Sequence, residues 1–164
     1  MSVLSDYEIK KLSKSSNLIK PLIEEQLNPH GYDLAIQSVW VNNKLLEHKE
    51  DFDIMILPRT FFIVNTKETV NLKDTPLPLI AKLWIKTSFA RQGIILSDGL
   101  IDCGFKGTLN LCCYNASNTG IYLVKQQPFC QVVFETATPP EKGYAQRSGN
   151  YQNQKTVMFA GVKQ

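Results

Sequence analysis

Two stretches of this chain carry residues fit for chemistry. The run Lys86-Thr87-Ser88-Phe89-Ala90-Arg91 sets two cations and two hydroxyls within six positions. That combination can hold phosphate, the cations acting as charge-assisted donors. A short apolar segment later stands Asp102, at the start of a loop flanked by Gly99, Gly104 and Gly107. A loop carboxylate can be aimed at a ligand without filling a core, and it can take a proton from water. Apolar segments on either side of the glycines read as a hairpin. Phosphate donors, one carboxylate and a glycine-lined hairpin are the equipment of a nucleotide phosphohydrolase site.

Other chemistries are excluded by what is missing. The cysteines are Cys103, Cys112, Cys113 and Cys130, with no Cys-x-x-Cys pair, and the histidines are His30 and His48. A zinc deaminase would need His-x-Glu followed by Pro-Cys-x-x-Cys, and a structural zinc site needs ligand spacings that these residues do not have. Reduced, mostly buried thiols are expected. The net charge of +3 suits a small anionic ligand and gives no argument for nucleic acid. No apolar run approaches the ~20 residues of a membrane span. No signal-peptide core follows the N-terminus, so a cytoplasmic location with no membrane partner is expected.

The elements that must position these residues are mainly β. A chain of 164 residues fits a single domain, 1–164. Ser5 and Glu8 form a capping box at the head of a short helix, with Leu4 and Ile9 as its hydrophobic staple; the helix should fade near Ser13–Ser16. A strand begins at Gly31-Tyr32-Asp33-Leu34. Further β runs are expected at 38–41, 53–57, 60–64, 79–85, 93–97, 107–114, 120–124 and 129–135, rich in Val, Ile, Phe and Tyr. No second helix of good period is visible. Many short strands with turn signals point to a sandwich, jelly roll or barrel. From Thr136 the chain turns polar, and 136–164 reads as a mobile C-terminal tail.

In order along the chain, Leu4-Ser5-Asp6-Tyr7-Glu8-Ile9, Pro29 to Leu34, Lys86 to Arg91, Gly99 to Asn115, Cys130 to Glu135 and Tyr151-Gln152-Asn153-Gln154 resemble the motifs of the dUTPase and dCTP deaminase superfamily. The resemblance implies a distorted jelly roll, a β-clip barrel with a short N-terminal helix, assembled as a homotrimer with sites at subunit interfaces. It implies dUTP as substrate, with dCTP and dTTP as alternatives, and Mg²⁺ as cofactor. It makes Asp102 the catalytic base. It makes Lys86, Thr87, Ser88, Arg91, Gly99, Phe105, Leu111, Asn115, Gln131, Tyr144, Tyr151 and Gln154 nucleotide-binding, with Phe105 stacked on deoxyribose and the main chain of 99–111 reading uracil. It gives Asp33 a water-mediated hold on Mg²⁺ and folds the tail over the nucleotide.

Within that superfamily, deaminase chemistry needs a glutamate ten residues after the aspartate, and here that position is Cys112. A thiol in an apolar strand is a poor substitute for a carboxylate acid/base. Two further positions depart from the family pattern. The fourth motif opens Lys125-Gln126-Gln127-Pro128 without its usual glycine, and Asn150 stands where deaminases carry lysine. The expected activity is therefore dUTP diphosphatase. The alternatives are a dCTP deaminase, monofunctional or bifunctional, and a non-catalytic nucleotide-binding homologue.

Overall fold

A computed structural model describes residues 2–46, 53–97, 99–147 and 149–159. In chain order its elements are α1 (Asp6–Ser16), β1 (Ile19–Lys20), a 3₁₀ turn (Glu24–Gln26), β2 (Leu27–Asn28), β3 (Gly31–Val41), β4 (Lys44–Leu45), β5 (Asp53–Ile56), β6 (Phe61–Asn71) and β7 (Leu79–Ile85). Then follow α2 (Thr87–Ala90), β8 (Ile94–Leu96), β9 (Leu100–Ile101), β10 (Lys106–Asn115), β11 (Ile121–Val124), β12 (Pro128–Thr136) and α3 (Tyr144–Arg147). All the strand pairs are antiparallel. One sheet runs β8-β10-β6-β3-β12-β7-β9 and curls into a half-barrel, while β5 and β11 pair separately. No helix among the described residues is long and apolar enough to cross a membrane.

Helix α1 starts where the capping box requires. Ser5 Oγ accepts the Glu8 N–H, and a Glu8 carboxylate oxygen accepts the Ser5 N–H at 2.9 Å. Leu4 and Ile9 are both buried, and Asn17 closes the helix in the left-handed conformation, φ 52°, as a helix stop allows.

The core lies inside the curl, with Tyr32, Leu34, Phe62, Val64, Phe129 and Phe134 fully enclosed. Strand β6 extends well past the apolar run at 60–64. Its second half, Asn65 to Asn71, looks like a loop by composition, yet it is sheet because its polar groups find partners. Thr66 Oγ accepts the Leu109 N–H at 2.9 Å, Glu68 accepts the Ala35 N–H at 2.9 Å, and the Asn71 amide donates to Ser16 C=O at 2.9 Å. Buried polar groups satisfied in this way do not oppose a strand. The expected strand ends shift by a residue or two, and 31–36 and 38–41 join into one strand. The two short helices at α2 and α3 have too few turns to show a helical period in the sequence.

Candidate functional site

Residues 102–105 form a tight turn, in which the Phe105 N–H donates to Asp102 C=O at 3.1 Å and Gly104 takes φ 89°. A positive φ at the third turn position is the type II geometry, for which glycine is suited. The turn leaves the Asp102 side chain exposed and turns Phe105 inward, where its ring meets Tyr144 edge-on at 5.5 Å. The hairpin expectation needs one correction. β8 does pair with β10, but β9, between them, leaves to pair with β7 at the opposite end of the sheet. The gap between β9 and β10 is the mouth of a cavity.

Strand β10 sets the cavity wall by its alternation. Leu109, Leu111, Cys113 and Asn115 turn inward and are buried, whereas Asn110, Cys112 and Tyr114 take the other face. A bulge between Thr108 and Asn110 breaks the ladder with β6, and such bulges often re-aim side chains beside a site. Asn65 fills the break. Its amide donates to Thr108 Oγ at 3.0 Å and to the Asn110 side-chain oxygen at 2.9 Å.

The tail lies along the start of β10. Asn153 N–H donates to Lys106 C=O at 2.7 Å, Thr108 N–H to Gln154 C=O at 2.9 Å, and the Gln152 amide to Gly104 C=O at 3.1 Å. The Gln154 amide donates to Thr108 C=O at 2.7 Å and accepts from the Asn110 amide at 3.2 Å. Tyr151 N–H donates to the Tyr144 hydroxyl at 3.1 Å. Beside it an open cavity of about 640 Å³ is within the range of a site for a small organic molecule. Gly99, Asp102, Phe105, Tyr144, Tyr151 and Gln154, all expected at the site, line it together with Cys112. Burial pushes the Cys112 thiol up from its ordinary pKa, so it stays protonated at neutral pH.

The phosphate-binding run lies elsewhere. Phe89 anchors α2 by packing on Phe129 at 4.8 Å, while Thr87, Ser88 and Arg91 stay exposed. Lys86, ahead of the helix, pairs with the Asp33 carboxylate, whose other oxygen accepts from the Asn28 amide at 2.9 Å. Asp33 was expected to reach Mg²⁺ through water; in this chain both of its oxygens are already bonded to protein donors. Gln131 pairs in register with Asp33, and its amide lies over Gly31, where a Cβ would stand only 2.7 Å from it. These residues make a second cluster, and none of them lines the cavity at Asp102.

Two of the expected residues, Leu111 and Asn115, are not among those that line the cavity. Leu111 points its side chain into the core, 1% exposed, because the β10 alternation assigns it the inner face. Asn115 is wholly buried, and its amide donates to the carbonyls of Ile56, Leu57 and Thr119. It fastens loops to the sheet. The sequence reading missed Asn110, Met158 and Phe159, which also line the cavity. Asn110 was findable as the polar residue two positions before Cys112 on an otherwise apolar strand. Phe159, which meets Trp40 edge-on at 5.6 Å, follows the last tail motif and has no local signal.

Residues 3–137 match the dCTP deaminase-like family. A dCTP deaminase of Pyrococcus horikoshii is 36% identical over 163 residues, covering 98% of each chain. A protein of Sulfolobus islandicus rod-shaped virus 1, named a probable deoxyuridine 5′-triphosphate nucleotidohydrolase, is 34% identical over 161 residues, 96% of this chain and 98% of its own. Among solved structures, the 2′-deoxycytidine 5′-triphosphate deaminase of Agrobacterium tumefaciens superposes with a TM-score of 0.69 at 20% identity, over 82% of this chain and 48% of that one.

Proposed function

The chain belongs to the dCTP deaminase-like family, and we propose that within it this protein is a dUTP diphosphatase, releasing dUMP and pyrophosphate. Its relatives are nucleotide-processing enzymes, and the wall formed by Cys112 is the observation that supports this chemistry over deamination. Deamination at C4 of cytosine needs a group that shuttles protons at the base. Among the cavity's described lining residues the one carboxylate is Asp102. The residue at the deaminase glutamate position is a half-buried thiol that burial keeps protonated.

In this reading the base enters the apolar cavity and packs beside Cys112. The deoxyribose lies against Phe105, held in place by Tyr144. Asp102, exposed at the rim, takes a proton from a water whose oxygen bonds to the α-phosphorus. The bond from that phosphorus to the bridging oxygen breaks, and pyrophosphate leaves with the electron pair. Mg²⁺ bound by the triphosphate would neutralise part of its charge; Asp33, engaged by Lys86 and Asn28, would reach it only through water. Ser88 and Arg91 reach the phosphates of a neighbouring subunit's site in a homotrimer, which accounts for their distance from Asp102 within one chain.

The test is hydrolysis of dUTP with Mg²⁺ in ¹⁸O-water. Label in dUMP and none in pyrophosphate supports Asp102-driven attack at the α-phosphorus. Intact dUTP in the presence of folded protein rejects the proposal. The second reading, dCTP deamination, is favoured by the name of the Pyrococcus relative, and it predicts ammonia from dCTP.

A further inference from the structure

Asp102 and Tyr144 are shared by two cavities. Next to the large cavity is a smaller one of about 260 Å³, below the roughly 300–1,000 Å³ of sites for drug-sized ligands and scaled to a small anion. Its walls include Cys103, Thr138, Lys142 and Arg147. Among the described residues the large cavity is lined by no lysine or arginine. The described cations on the cavity that shares Asp102 with it are Lys142 and Arg147.

We infer that Lys142 and Arg147 bind the β- and γ-phosphates of the substrate, and then the pyrophosphate, from the same chain that supplies Asp102. Three observations carry the assignment. First, the two cations flank Tyr144 in sequence, and the Tyr144 N–H is fixed to Cys103 C=O at 2.9 Å, so the segment bearing them is pinned to the turn that presents Asp102. Second, the carboxylate nearest to Arg147 is only loosely held. Glu141 stands 3.7 Å away, and both side chains are more than 60% exposed. An ion pair of that kind is worth little and exchanges readily for a phosphate, which guanidinium binds bidentately. Third, Lys86 is already committed to Asp33, which removes one of the cations of the 86–91 run. Thr138 adds a hydroxyl donor. With the nucleotide across both cavities, Asp102 stands at the junction, with a water between its carboxylate and the α-phosphorus.

This inference rests on the large cavity holding the nucleoside, and its test is built on binding so that it is read separately from turnover. Titration calorimetry compares the α,β-imido analogue of dUTP, dUMP and inorganic pyrophosphate on the wild type, on K142A/R147A and on the charge-keeping K142R/R147K. Both side chains are exposed, so folding is preserved, and circular dichroism checks it. The expected result is a loss of about tenfold or more for the triphosphate analogue and for pyrophosphate, as for lost charge-assisted bonds, with dUMP unchanged and K142R/R147K, which keeps both charges but loses the guanidinium fork at position 147, between wild type and K142A/R147A. That pattern supports the site even if dUTP is not cleaved, in which case only the diphosphatase reading falls. Unchanged analogue affinity in K142A/R147A, or an equal loss for dUMP and the analogue, overturns the inference.

Discussion

Gln154 lies directly across Gly107: a Cβ at position 107 would stand 3.1 Å from both the main-chain nitrogen and the main-chain oxygen of Gln154. The tail can lie on β10 only because no side chain intervenes. Gly107→Ala forces the two apart or strains the contact, a type of overpacking that costs roughly 1–3 kcal/mol. The cost falls on tail docking. The expected outcome is a raised KM for nucleotide and faster proteolytic cutting within 149–159, with thermal stability of the sheet core little changed.

Asp102→Asn keeps the shape of the turn and removes the base. Turnover of dUTP should be abolished, while affinity for the α,β-imido analogue stays within about tenfold, ~1.4 kcal/mol. Cys112→Ala should leave dUTP cleavage largely intact, since the thiol is a small apolar part of the cavity wall. The two variants are assayed side by side on dUTP. Loss of turnover in Cys112→Ala with activity retained in Asp102→Asn would invert the assigned roles.

The separation of Arg91 from Asp102 gives a test of shared sites. Arg91→Ala and Asp102→Asn proteins should each be nearly inactive. After co-refolding of equal amounts, about one quarter of the sites should pair an intact Asp102 with an intact Arg91 from another subunit, half of half. Recovery of activity on mixing measures this directly; no recovery means that α2 acts within its own chain or not at all.

Glu68 supplies a pH dependence. It is fully buried, one of its oxygens accepts the Ala35 N–H, and the other has no hydrogen-bond partner among the described residues. Burial raises its pKa above the ordinary 4.5. The folded state therefore holds this proton more tightly than the unfolded chain does. Its stabilising contribution is complete below the unfolded value and declines as pH rises from there through the folded value. Glu68→Gln should flatten urea-derived stability across that window. An unchanged slope would show that Glu68 titrates alike in the folded and unfolded chain.

Much of the architecture was legible because local physics agreed with the fold. The Ser5–Glu8 capping box, the alternation of β10 and the turn glycine Gly104 each fix structure within a few residues. Asp102, Phe105 and Tyr151 stand on or beside these elements, and all three line the large cavity. What escaped was non-local. The second half of β6 is polar and becomes sheet only because Asn65, Thr66 and Glu68 meet donors and acceptors from β3 and β10. The strand register that turns the side chains of Leu111 and Asn115 inward has no local signal in the sequence. Lys142 and Arg147 lie in a polar stretch without a pattern and gain meaning only where the 102–105 turn meets α3.

The central claim is that a deaminase-like scaffold with Asp102 and Cys112 cleaves dUTP and does not deaminate dCTP. The most direct measurement incubates the protein with each nucleotide and Mg²⁺ and quantifies pyrophosphate and ammonia in the same samples. The account predicts pyrophosphate equal to dUMP formed from dUTP, and no ammonia from dCTP. Ammonia from dCTP at a rate comparable to dUTP cleavage would contradict it, and would assign proton transfer at the base to a group other than a carboxylate at position 112.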